Sequence, residues 1–143
     1  MTTIIEELEQ QVKDNPVLLY MKGSPDSPQC GFSSKASQLL IACGKPFSFV
    51  DILANPEIRA NLPQFSNWPT FPQLFVNGEL IGGCDIITEL HESGELQSII
   101  DSAQTSELSH LKRLHLCSLY VKNTLLIRCY RGVICISLFH LLN

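Results

Sequence analysis

Cys30 is the residue of this 143-residue chain whose setting most favours chemistry. It stands between a loop containing Gly23, Pro25 and Pro28 and an apolar-periodic stretch that begins at Phe32. Prolines and glycine break regular structure, so 23–28 reads as a loop and a helix opens at Cys30. A thiol in that place faces the unpaired N–H groups and the positive dipole end of the helix. Such placements lower a cysteine pKa from ~8.5 into a range of about 3.5–7.5. Lys22, just ahead of the loop, adds positive charge nearby. Cys30 is therefore expected to be largely thiolate near neutral pH, the form that attacks disulfides and binds metals. Pro28, Gly31, Ser33 and the polar loop argue against a core role for it.

Ser33 falls where a Cys-x-x-Cys redox site would carry its second thiol. A serine hydroxyl cannot form a disulfide, so no dithiol cycle can run between positions 30 and 33. Any redox turnover must draw its second thiol from elsewhere. Cys43 is expected in the core, on one helix face with Phe32, Ala36, Leu39 and Leu40.

The elements that must position these residues follow from patterning. Thr2 or Thr3 caps a helix to about residue 13, with Ile4, Ile5, Leu8 and Val12 at helical spacing, and Asn15-Pro16 ends it. Residues 17–21 form a continuous apolar run, as a buried central strand does. After the Cys30 helix, stopped by Gly44, residues 47–52 alternate as a second strand. Asn55-Pro56 starts a short helix that carries Arg59. Trp68-Pro69-Thr70-Phe71-Pro72 precedes a strand over 73–76, and Asn77-Gly78 is a strong hairpin signal leading into Leu80-Ile81. Gly82-Gly83-Cys84-Asp85 breaks that strand and caps a helix from Ile86 to about His91, and a last helix runs to about Ala103. Strands alternating with helices, followed by a hairpin and covering helices, give an α/β sandwich.

Charge divides the chain in two. Residues 1–103 hold five basic and thirteen acidic residues, whereas 104–143 hold five basic residues and only Glu107. An acidic domain of this kind is a poor binder of nucleic acid. The N-terminus has neither a basic region followed by an apolar run nor an Arg-rich, acid-poor stretch, so the expected location is cytoplasmic. There, six cysteines read as thiols, metal ligands or redox groups rather than as a disulfide framework.

Three motifs in order, Lys22 through Cys30-Gly31-Phe32-Ser33, then Trp68 to Pro72, then Gly82 to Asp85, resemble a CGFS-type monothiol glutaredoxin of the single-domain, glutaredoxin D-like kind. The resemblance spans about 1–103, taken as the glutaredoxin domain, with 104–143 an atypical tail. It implies a thioredoxin-like glutaredoxin fold, a three-layer sandwich around a central four-stranded mixed sheet. It also implies a glutathione clamp. The Phe71–Pro72 bond would be cis, turning the Thr70-Phe71 backbone toward the ligand to pair with the cysteinyl backbone of glutathione. Lys22 and Arg59 would hold the glycine carboxylate. Cys84, through its backbone, and Asp85 would take the two ends of the γ-glutamyl group. Trp68 is expected to pack rather than touch ligand.

A [2Fe–2S] cluster needs four ligands, usually thiolates. Two chains supply two Cys30 sulfurs and two bound glutathiones supply the rest. The family resemblance supports this arrangement, which implies a homodimer joined through the cluster, delivery to apo iron–sulfur proteins and pairing with a BolA-like protein. The alternatives are a glutathione-dependent thiol–disulfide oxidoreductase acting through Cys30, and an iron- or redox-sensing adaptor. A loop as long as 23–29 goes with poor oxidoreductase turnover in this family.

The tail departs from the resemblance. Residues 111–143 are rich in leucine and isoleucine, but Lys122, Asn123, Arg128 and Arg131 interrupt them before ~18 apolar residues accumulate, so no membrane span is expected. Cys117, Cys129 and Cys135 are spaced by 12 and 6, which fits no common metal pattern. The abrupt change in composition reads either as an added helix or strand covering an apolar patch or as a shifted reading frame.

Overall fold

The computed structural model describes residues 3–111, 128–130 and 133–136, those beyond 104 through their backbone. Helix α1 (Ile4–Asp14) starts at Thr3, whose hydroxyl accepts from the Glu6 N–H while the Glu6 carboxylate accepts from the Thr3 N–H. This reciprocal pair satisfies two otherwise orphaned donors. Strand β1 (Val17–Met21), helix α2 (Gly31–Ala42) and strand β2 (Phe47–Asp51) follow, with β1 and β2 parallel. Helix α3 (Pro56–Ser66) has Pro56 in its first turn, where a missing N–H costs nothing, and a second proline, Pro63, farther along. Strands β3 (Gln73–Val76) and β4 (Glu79–Gly82) form the hairpin expected at Asn77-Gly78. Helices α4 (Cys84–Ser93) and α5 (Glu95–Leu111) are separated by Gly94, in the left-handed conformation.

The four strands run in the order β4-β3-β1-β2, antiparallel except for β1–β2. This is the mixed sheet expected. Two short strands, β5 (Arg128–Tyr130) and β6 (Val133–Ile136), extend it beyond β2, with β6 antiparallel to β2. The last helix also continues beyond residue 103. Cys117 lies outside the described residues, as does Thr2. Among the described residues no helix is long and apolar enough to cross a membrane.

Every residue of β1 is buried, because alternate side chains enter two different cores. Leu18 and Tyr20 pack with Leu8 and Val12 of α1 and Ile58 and Leu62 of α3. Val17, Leu19 and Met21 pack with Ala36 and Leu40 of α2, Ile87 of α4 and Leu96 and Ile100 of α5. A helix layer thus covers each face of the sheet, and the fold is a three-layer sandwich.

Two expectations fail locally. Phe32 does not share the buried face of α2 but is 63% exposed. Helical spacing gives its angle correctly, yet at the open end of a helix no facing element covers it. The helix after β4 begins at Cys84 rather than Ile86, with Gly83 as its N-cap, so Asp85 lies inside the first turn instead of capping it. The Gly82-Gly83 pair can enter the helix directly, since neither residue carries a side chain to be turned aside.

Leu19, fully buried in the middle of the sheet, gives a direct measure of this core. Leu19→Ala is expected to lower unfolding free energy by about 2–5 kcal/mol. In urea titrations the midpoint falls while the slope is unchanged.

Candidate functional site

The sheet topology gathers the candidate residues at one end. β1 and β2 are parallel and β3 is antiparallel to β1, so the C-terminal ends of β1 and β2 lie beside the N-terminal end of β3. The C-terminal end of β4 falls there too. At that end emerge Lys22 after β1, Thr70 and Phe71 before β3, and Cys84 and Asp85 after β4. Arg59 is in α3, which begins shortly after β2. The first turns of α2 and α4 also open at this end, adding partial positive charge from two helix dipoles.

Cys30 is the N-cap of α2, with extended backbone, and its side chain is partly exposed. The Ser33 and Phe32 N–H groups face the sulfur and hold its pKa below that of an ordinary thiol; burial opposes them, and the Lys22 charge and the Ser33 hydroxyl help to a smaller degree. The contact falls short of a full side-chain cap hydrogen bond. It still favours the anion, because sulfur is large and its charge diffuse. Ser33 itself is fully buried, and its hydroxyl oxygen accepts from the Lys22 N–H at 3.1 Å. The residue that replaces a second thiol therefore ties α2 to the end of β1.

The loop between Lys22 and Cys30 closes on itself. The Gln29 N–H donates to the Lys22 carbonyl at 2.9 Å, and Ser24 and Ser27 exchange backbone hydrogen bonds. Asp51, at the end of β2, fastens the loop to the sheet: one carboxylate oxygen accepts from Gly23 N–H at 2.9 Å and from Leu53 N–H at 2.8 Å. Sequence reasoning missed this role, since the Asp51 and Gly23 partners lie 28 positions apart.

On the other side of Cys30, the Phe71–Pro72 peptide bond is cis. Among the described residues the Phe71 N–H and carbonyl have no hydrogen-bond partner. Gly83 lets the neighbouring turn approach this loop: a Cβ there would lie 3.3 Å from Trp68 Nε1 and 3.4 Å from the Pro72 carbonyl oxygen. Gly82, at φ +151, could not carry a side chain at all, because a Cβ would come within 2.7 Å of Ile86 Cβ. Cys84 is buried and Asp85 exposed. Lys22 is half-buried, Arg59 is exposed, and neither forms an ion pair among the described residues. Two cations without internal partners at one end of the sheet, beside an open backbone edge, suit a small peptide bearing a carboxylate.

Cys43 is a poorer nucleophile than Cys30. Cys43 is buried, and burial together with Asp101 pushes its pKa up. Among the described residues no group of three or more His, Cys, Asp or Glu side chains could hold a metal ion. A metal at Cys30 would need ligands from beyond the described residues.

The donors around Cys30 predict its pH behaviour. The thiol ionises at lower pH than a free cysteine, so alkylation by iodoacetamide rises with pH through a midpoint below that of glutathione. Lys22→Met moves that midpoint upward, and mass spectrometry of the Cys30 peptide follows both curves.

The glutaredoxin family profile matches residues 17–81. Over 100 residues the chain is 61% identical to glutaredoxin 4 of Escherichia coli strain K12, covering 70% of this chain and 87% of that protein. The solution structure of reduced poplar apo GrxS14 aligns with a TM-score of 0.63 at 45% identity, over 72% of this chain and 94% of the other. A crystal structure of a buckwheat glutaredoxin–glutathione complex aligns with a TM-score of 0.62 at 26% identity, over 70% and 89%. With its cis-Pro72 loop, a thiol at the mouth of α2 and a serine in place of the second cysteine, the chain belongs to the glutaredoxins, as a monothiol CGFS-type member.

Proposed function

We propose that this protein binds glutathione beside Cys30 and, as a homodimer, carries a [2Fe–2S] cluster for transfer to apo iron–sulfur proteins in the cytoplasm. The observation that carries this reading is the monothiol setting of Cys30: a partly exposed, readily ionised thiol with serine in place of a second cysteine at position 33. One chain gives one ligand, and a cluster needs four. Two chains and two glutathiones complete the set. The peptide would lie along the free Phe71 backbone, with its glycine carboxylate toward Lys22 and Arg59. Its γ-glutamyl end would meet the first turn of α4, where N–H groups suit a carboxylate and Asp85 an ammonium. When bound, the cluster supplies iron and sulfide as cargo, and half of its ligands would be exchangeable small molecules, as release requires. A BolA-like protein is the proposed regulatory partner, offering the second half of the same arrangement.

The partly exposed thiol, with its pKa held down, also favours a second reading, glutathione-dependent deglutathionylation. Cys30 attacks the glutathione sulfur of a protein mixed disulfide, forming a Cys30–glutathione disulfide and expelling the protein thiolate. A second glutathione thiolate then attacks that disulfide, releasing oxidised glutathione and regenerating Cys30.

Anaerobic reconstitution with iron, sulfide and glutathione separates the two. The expected product is coloured, elutes from a sizing column as a dimer and passes its colour to an apo-ferredoxin. Omitting glutathione, or substituting Cys30→Ser, abolishes both colour and dimer. A colourless monomer with brisk reductase turnover would reverse the order of the readings. Lys22→Ala with Arg59→Ala is expected to weaken glutathione binding by about tenfold or more, since charge-assisted hydrogen bonds contribute ~1.5–3 kcal/mol each. Isothermal titration measures it.

A further inference from the structure

Gln73 is fully buried at the start of β3. Its side-chain nitrogen donates to two carbonyls of the preceding loop, that of Trp68 at 2.9 Å and that of Thr70 at 3.1 Å. Both partners are acceptors, so only the NH2 end of the amide can face them. The match is stoichiometric, two hydrogens for two carbonyls. The loop needs an outside donor because Pro69 and Pro72 contribute no N–H of their own. The cost of this arrangement is visible at the other end of the amide. Gln73 Oε1 is buried without a hydrogen-bond partner among the described residues. A buried orphan acceptor costs free energy, so an apolar residue of the same shape would serve packing better than glutamine does.

We propose that Gln73 is a positioning residue for glutathione, holding the Trp68 and Thr70 carbonyls so that the backbone edge of Phe71 stays open and correctly turned for the peptide. The inference rests on the glutathione-binding reading above. With the Thr70 carbonyl turned inward onto Gln73, the neighbouring Phe71 N–H and carbonyl remain unpaired among the described residues. Trp68, held by the same amide, packs over Gly83, so Gln73 also sets the separation between the cis-proline loop and the first turn of α4. Gln73 touches neither Cys30 nor, in this reading, the ligand. It acts through the backbone it fixes.

Gln73→Met keeps length and volume but removes both donors. Glutathione affinity is measured by titration calorimetry, and Cys30 reactivity by the rate of alkylation with iodoacetamide, a reagent too small to need the clamp. The expected result is an affinity loss of about tenfold, from two hydrogen bonds whose benefit is passed to the ligand, with the alkylation rate unchanged. A purely structural role would move both together or neither. If wild type binds glutathione and Gln73→Met binds it equally well, the inference is overturned. If wild type does not bind glutathione, the reading beneath it fails instead. Should the variant not fold, nuclear magnetic resonance of wild type decides. The Gln73 side-chain NH2 protons are expected to exchange slowly with solvent and to slow further, by about threefold or more, when glutathione orders the loop. Exchange that is indifferent to glutathione overturns the inference.

Discussion

A thiol ionises more readily where fixed donors face it, and at Cys30 those donors are the first N–H groups of α2. The rest of the site depends on that contact. It works only if α2 starts at Cys30, which in turn requires the chain to leave β1, close a loop and return. The backbone bond from Gln29 to Lys22 closes the loop, Asp51 fixes it to β2, and Ser33 fixes the helix to Lys22. Each of these is a polar tie at the edge of an apolar core, where partial exclusion of water strengthens it.

The core supplies the rigidity that such ties need. β1 is buried on both faces and pairs on both edges, with β2 on one side and β3 on the other. The two strands that release the Cys30 loop and receive the cis-proline loop are thus locked in register. Tyr20 shows how polar groups are accommodated there: its hydroxyl donates to Gln11 Oε1 at 2.9 Å, and Gln11 donates in turn to Glu7. Burial raises the Tyr20 pKa well above the phenol range, so the hydroxyl stays neutral and the chain of bonds intact. A scaffold of this kind suits a site built from loops at one end of a sheet.

Much of this was legible in the sequence because the signals were local. The apolar run 17–21, the Asn77-Gly78 turn and the helix opened at Cys30 each declare themselves within a few residues. Three motifs in order added the family, and with it the cis bond at Pro72. What was not legible depended on contacts distant in the chain or on what covers a face. Asp51 and Gly23 meet through tertiary structure alone, and nothing near Gln73 in sequence marks its amide as a brace. Phe32 has the angular position of a core residue and yet lies in the open, because periodicity describes a helix without its neighbours. Asp85 looked like a cap, but the paired glycines let the helix start earlier than a polar side chain would suggest.

The burial of Ser33 has a kinetic meaning as well as a chemical one. Position 33 is sealed beneath the helix and carries a hydroxyl, so the first turn of α2 offers no thiol to resolve an adduct on Cys30. An adduct on this sulfur cannot pass to the next turn of its own helix as it would in a Cys-x-x-Cys pair. The fast first-order exchange that a cysteine at position 33 would provide is therefore closed to this helix.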